Sequence, residues 1–210
     1  MNKKTKLILK HLEEMFPNAH GELNHKNNFE LLVAVVLSAQ TTDRAVNIVT
    51  QELFSVYPTP EALASAKLED VMEIINSIGL YRNKSKNIIN LSKILVEEYN
   101  SEVPNTLEDL MKLPGVGRKT ANVVLSIAFN IPRIAVDTHV ERVSKRLGLV
   151  DIDASVLEVE KTLMSLFPKD RWTKLHHQLI FFGRYHCLAR KPKCKECPLI
   201  SICQFENKNL

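Results

Sequence analysis

The first 186 residues contain no cysteine, and the four that the chain has, Cys187, Cys194, Cys197 and Cys203, all fall in one stretch near its end. A disulfide framework running through the fold is excluded, and thiols grouped in this way read as metal ligands. No apolar run is longer than Leu31 to Leu37, far short of the roughly 20 residues that a membrane-spanning helix needs. The lysine-rich start lacks the apolar core and cleavage site of a secretory signal. A cytosolic protein with no membrane partner is the expectation. Strand alternation is almost missing, and neither repeats nor low-complexity tracts occur, so the chain reads as all-α. Glycine is scarce, six in 210 residues, yet Gly115 and Gly117 sit one residue apart.

What is present is ordinary globular material: 45% hydrophobic and 25% charged residues, ample for a core. The formal charge of +4 and the sequence pI near 8.8 permit a polyanionic partner without demanding one. Apolar spacing predicts a helix around Leu7 to Met15, a buried central helix from Phe29 to Ala39, and one running to Phe54 with Thr41, Thr42 and Asp43 as caps. A short helix opens at Thr59-Pro60, and others follow over Leu68 to Ile75, Lys84 to Tyr99, Thr106 to Lys112 and Thr120 to Phe129. Asp137 to Leu147, Ser155 to Phe167, where Ser155 and Glu158 make a capping box, and Arg171 to His186 complete the series. The weak breaks at Pro17 to Gly21 and Ile131-Pro132 predict one domain over 22–132 and a second, discontinuous one from 1–21 and 133–210.

Leu113-Pro114-Gly115-Val116-Gly117 joins two of these helices, followed by Arg118-Lys119-Thr120-Ala121. Glycine there lets the backbone turn tightly and brings amides close to a ligand, and the start of the next helix favours phosphate. The spacing is neither the Walker loop nor the dinucleotide fingerprint, which follows a strand. An amine such as Lys119 at a helix start, if partly buried, acts as a nucleophile; its plain alternative is a phosphate contact or a solvated lysine. Asp137, ahead of Thr138-His139, is an N-cap by type and also a carboxylate suited to stabilising positive charge. The cysteine spacing, C-x6-C-x2-C-x5-C, suits either a tetrahedral zinc or a [4Fe–4S] cluster, and spacing alone leans towards zinc.

Four motifs in order give these elements a shared meaning: Leu37-Ser38-Ala39-Gln40-Thr41-Thr42-Asp43, Leu113 to Ala121, Ala135-Val136-Asp137-Thr138-His139-Val140, and Gly183-Arg184-Tyr185 running into the cysteines. Over nearly its whole length the chain resembles the endonuclease III family of DNA glycosylases, in the helix–hairpin–helix superfamily. The resemblance implies two helical domains flanking a DNA-binding cleft. It implies Lys119 as nucleophile, Asp137 as essential carboxylate, and backbone contacts from Leu113, Gly115, Val116 and Gly117 to a DNA phosphate. It turns the cysteine reading from zinc to a [4Fe–4S] cluster on Cys187, Cys194, Cys197 and Cys203. Gln40 matches the side chain that fills the gap left by an extruded base, and Leu80 the wedge inserted into the duplex; their plain alternatives are a helix-end polar residue and a core leucine. Lys191 and Lys193, in the cysteine loop, are expected to meet DNA phosphates.

The implied activity is base-excision repair: removal of oxidised pyrimidines from double-stranded DNA, then strand cleavage at the abasic site through a Schiff base. A monomer, associated with the nucleoid through DNA, is the expectation. The adenine-mismatch glycosylase branch shares hairpin, aspartate and cluster but lacks the lysine and carries a long further C-terminal domain, whereas this chain has Lys119 and seven residues after Cys203. A non-catalytic helix–hairpin–helix module would need no lysine–aspartate pair. His25, Asn130 and Phe181-Phe182 depart from the family's usual residues, and none touches the implied chemistry.

Overall fold

Short polar side chains open most of the helices, because a helix begins with amides that its own backbone cannot satisfy. A computed structural model describes all 210 residues, in eleven α-helices and three short 3₁₀ turns, with no strand. No helix is long and apolar enough to cross a membrane. Packing divides the chain into two units, residues 22–131 and residues 1–21 with 132–210.

Residues 1–21 contain α1 (Lys3–Met15), capped by Asn2. In the 22–131 unit, Asn27 caps α2 (Asn28–Leu37), and every α2 residue from Phe29 to Leu37 is buried. Nearly continuous apolar sequence permits this placement, with α3 (Asp43–Val56), α6 (Tyr81–Glu98) and α8 (Arg118–Ala128) packed around it. Of Thr41, Thr42 and Asp43, the cap of α3 is Thr42, whose hydroxyl accepts from the Ala45 amide at 3.3 Å. Thr59 caps α4 (Pro60–Ala64), and α4 and α5 (Leu68–Ile74) both lie against α6. Thr106 caps α7 (Leu107–Lys112), which packs on α8.

Among the helices that start earlier than apolar spacing predicts are α1, at Lys3 rather than around Leu7, α6 and α8. α6 begins at Tyr81 rather than Lys84, because Leu80 takes a left-handed conformation with φ 60° and its carbonyl accepts the amides of Asn83 and Lys84 at 3.1 and 3.0 Å. α8 begins at Arg118 rather than Thr120, because the extended Gly117 already serves as its N-cap. Asn130, with φ 53°, makes the left-handed turn that ends α8, and Ile131 N–H closes it on Leu125 O at 3.0 Å.

The other unit holds α9 (Thr138–Arg146), α10 (Val156–Leu166), with both halves of the Ser155–Glu158 capping box formed, and α11 (Trp172–Tyr185). Its core joins Ile8 and Leu12 of α1 to Val140, Val143, Val159, Leu163, Leu175, Leu179 and Phe182, with Cys187, Cys197 and Cys203 packed against it. The N-terminal segment is thus part of this core despite its distance in sequence. Polar contacts fix α1 on α11: Glu13 accepts from Lys174, from Arg171 at 2.8 Å and from Gln178 at 3.0 Å.

Those donors, Lys174 first, hold the Glu13 carboxyl down at about 2, from an ordinary 4.5. A carboxylate with a depressed folded-state pKa contributes stability above its unfolded pKa and loses it as pH falls through the folded value. Glu13→Gln should therefore lower the melting temperature near neutrality, and the gap to the parent protein should narrow as pH drops from 4.5 towards 2. Melting curves across that range provide the check, and a gap that stays constant would show that the charge of Glu13 contributes nothing.

Candidate functional site

The corner between α7 and α8 needs a glycine at one place and tolerates one at the other. Gly115 has φ +80°, and a Cβ there would stand 2.9 Å from Asn87 Nδ2 and 3.1 Å from Val36 Cγ1, so the turn lies directly on α6 and α2. Gly117 has an ordinary φ of −90°, and a Cβ there would meet nothing within 4 Å. Open space therefore lies in front of the start of α8. No side chain caps that start, so its amides and the positive end of its dipole remain suited to an anion.

Leu113 and Val116 sit on the inner side of the corner. Both side chains are buried, and their amides are already used inside the turn, by Leu110 O at 3.2 Å and Leu113 O at 3.1 Å. The amides of Gly115 and Gly117 take no part in these bonds. The glycine amides are thus outside the turn's own bonds, while Leu113 and Val116 anchor the corner in the core.

Lys119 is the second residue of α8, and its side chain is exposed. The partial burial that was a condition for its role as a nucleophile is not present in the structure. Asp137 is the N-cap of α9, and one oxygen, Oδ1, accepts both cap hydrogen bonds, from the amides of His139 at 2.9 Å and Val140 at 2.8 Å. The cap does not involve Oδ2, so capping and a second role for this carboxylate are compatible. Gln40 and Leu80 are exposed, and each has a positive φ, 54° and 60°. With 58% of its surface exposed, Leu80 is not the core leucine of the plain alternative.

The four thiols lie on one stretch after α11, and Cys187, Cys197 and Cys203 pack against the same core. Cys197 feels the charges of Cys187, Cys203 and Cys194, and burial pushes it and Cys187 up from the ordinary thiol range. Opposing that rise, Arg146 Nη1 donates to Cys187 Sγ at 3.5 Å, and the Leu199 amide donates to Cys197. No three acidic, histidine or cysteine donors close tightly around a single ion. Cys194 is buried and the other three thiols are half-buried, and soft sulfur donors of this kind, two of them with an N–H beside them, are what an iron–sulfur group takes as thiolates. Lys191, with φ 50°, and Lys193 are exposed on the same loop, whose base is tied by Lys193 N–H to His186 O at 3.1 Å.

Sequence reasoning missed Arg142 and Arg146. Arg142 donates to Gly183 O at 2.7 Å and Cys187 O at 3.2 Å, and Arg146 to Leu188 O at 2.6 Å and Ala189 O at 3.0 Å. Two arginines four residues apart share one face of α9, which was the available signal. A Cβ on Gly183 would lie 2.8 Å from His139 Cβ, so glycine is what lets α9 and α11 approach closely enough for the Arg142 bond.

Residues 33–169 match the model of the HhH-GPD superfamily of base excision DNA repair proteins. The chain is 59% identical to endonuclease III of Bacillus subtilis (strain 168), covering 98% of this chain and 94% of that protein. It is 46% identical to endonuclease III of Escherichia coli (strain K12), covering 99% of each. Among solved structures, a trapped endonuclease III–DNA covalent intermediate superposes with a TM-score of 0.92, at 58% identity and 97% coverage of both chains.

The two glycines should separate experimentally. Gly115→Ala should lose about 1–2 kcal/mol of stability, the cost of a left-handed conformation with a Cβ, whereas Gly117→Ala should lose about 0.5 kcal/mol or less. Urea unfolding of both variants measures this, and equal losses would contradict the open setting of Gly117.

Proposed function

This chain belongs to the endonuclease III family within the HhH-GPD superfamily of base excision DNA repair proteins, and from that we infer that Lys119 is its nucleophile and Asp137 its essential carboxylate. It is a bifunctional DNA glycosylase with abasic-site lyase activity. DNA is its substrate, and we assign it double-stranded DNA carrying oxidised pyrimidines or abasic sites, on which it acts as a monomer. The observation that carries the reading is the setting of Lys119, exposed one residue inside a helix whose start no side chain caps. A relative of 58% identity is trapped covalently with DNA, in keeping with a nucleophilic mechanism.

A base stacked in a duplex is out of reach of any side chain, so the nucleotide must first be flipped out, at a cost of a few kcal/mol. Gln40 fills the vacated space, Leu80 wedges the stack, and the amides of Gly115, Gly117 and early α8 hold a backbone phosphate. The unprotonated amine of Lys119 forms a bond to C1′ as the glycosidic bond breaks, and the departing base takes a proton. Asp137, with Oδ2 outside the cap, stabilises the positive charge that develops on the sugar. Ring opening gives an imine between Lys119 and C1′, which acidifies the C2′ proton. Loss of that proton expels the 3′ phosphate and cuts the strand, and hydrolysis of the imine returns the free amine.

Cys187, Cys194, Cys197 and Cys203 would hold a [4Fe–4S] cluster. Bound there, it supplies a rigid, redox-quiet clamp rather than a reacting centre. Arg142 and Arg146 fasten the loop's carbonyls, and Lys191 and Lys193 present charge to phosphates.

Lys119→Gln should abolish base excision and borohydride trapping on abasic DNA while leaving duplex binding largely intact. Full trapping by the variant would overturn the assignment. In Asp137→Asn the cap persists and the charge goes, so turnover should fall by about 10² or more with little loss of stability; single-turnover rates beside a melting curve test both halves.

The purified protein should be yellow-brown with about four irons per chain, and Cys197→Ser should lose iron and solubility together. Metal analysis of an anaerobic preparation decides between this and a colourless zinc protein.

A further inference from the structure

Lys84 is 4% exposed, yet the hydrogen bond of its ammonium goes to a neutral partner, Thr41 Oγ1, at 2.7 Å. Buried lysines are rare, and those without a carboxylate partner rarer still, because the charge loses its water. Burial accordingly pushes the Lys84 amine down from the ordinary lysine range. A leucine or methionine would fill such a position at lower cost unless the amine has a task.

The surroundings indicate one. Thr41 follows Gln40 directly, and its own amide donates to Ser38 O at 3.1 Å, which closes the turn containing Gln40. Lys84 lies four residues after Leu80, and its amide donates to Leu80 O at 3.0 Å. One residue therefore grips both turns, one through its backbone and the other through its side chain. Each turn holds an exposed non-glycine residue at positive φ. Such conformations persist only where the surroundings impose them. The exposed side chains of Gln40 and Leu80 gain nothing from packing that would explain them.

We propose that Lys84 is a positioning residue that sets the spacing of the Gln40 and Leu80 turns, and thereby governs the extrusion of a paired nucleotide while leaving the chemistry at the sugar untouched. This rests on the roles given above to Gln40 and Leu80. Lys84 touches neither substrate nor reacting atoms. Its effect lies in the step that opens the duplex, so it should matter in proportion to how firmly the target base is paired. A merely structural lysine would slow every substrate alike.

The test uses the full chain with its metal content intact. Three duplexes are compared: an oxidised pyrimidine opposite its pairing purine, the same base opposite a tetrahydrofuran gap, and a preformed abasic site. Lys84→Met and Thr41→Val should each slow the first by about tenfold or more, equal to about 1.4 kcal/mol in the barrier, and leave the other two within about twofold. Thr41→Ser, which keeps the hydroxyl, should restore the parent rate. Thr41→Val removes the same bond without unburying a charge, so it keeps the test decisive if Lys84→Met does not fold. Equal slowing on all three duplexes, or no slowing on any, overturns the proposal. Gln40→Ala and Leu80→Ala are measured in parallel. If these are selective for the paired duplex and the Lys84 and Thr41 variants are not, the role of Lys84 alone is overturned; if they are not selective, the assignment of the two turns falls, and this proposal with it.

Discussion

Every α-helix begins with amides that have no partner within it, and how each start is satisfied organises this molecule. Seven of the helices close theirs with a side chain: Asn2, Asn27, Thr42, Thr59, Thr106, Asp137 and Ser155. Two that do not, α6 and α8, begin at Leu80 and Gly117, which are also the places proposed to meet DNA. At α8 the missing cap leaves the amides and the dipole to an outside anion. At α9 the cap is present, but it draws on a single carboxylate oxygen of Asp137. The same physical requirement therefore leaves a helix start without a side-chain cap in one unit and a carboxylate oxygen outside the cap in the other.

The second constraint is that charged groups inside the fold need partners, and they find carbonyls and hydroxyls as often as carboxylates. Arg142 and Arg146 are held by the carbonyls of Gly183, Cys187, Leu188 and Ala189. Their guanidinium donors thereby join α9 to the cysteine loop, and Arg146 also lies over the Phe205 ring at 3.9 Å. Lys84, buried against Thr41, follows the same pattern on a smaller scale. Glu13 shows the converse, a partly exposed carboxylate surrounded by three donors that binds the first helix to α11.

Much of the site was legible in the chain itself, for local reasons. Asp137 before Thr138-His139 has the chemistry of a cap, and it is one. Ser155 and Glu158 form both halves of their capping box. The four cysteines are confined to seventeen positions, 187 to 203, but it is packing of Cys187, Cys197 and Cys203 on one core, with Arg146 bonded to both Cys187 and Cys203, that keeps them near one another. The start of α6 was misread because apolar spacing carries no mark for a leucine in a left-handed turn; a glycine or asparagine would have shown it.

The sequence by itself determined the helical class, the caps and the glycine corner, since each depends on residues within a few positions of one another. Only the tertiary structure decided which groups in that corner remain available, that Leu113 and Val116 face the core, that Lys119 is exposed, and that Arg142, Arg146 and Lys84 grip distant backbone or side-chain oxygens. Burial and long-range hydrogen bonds join residues forty or more positions apart, as Lys84 does with Thr41 across 43. Local spacing in the chain carries no signal of such pairs, because only the folded packing brings them together.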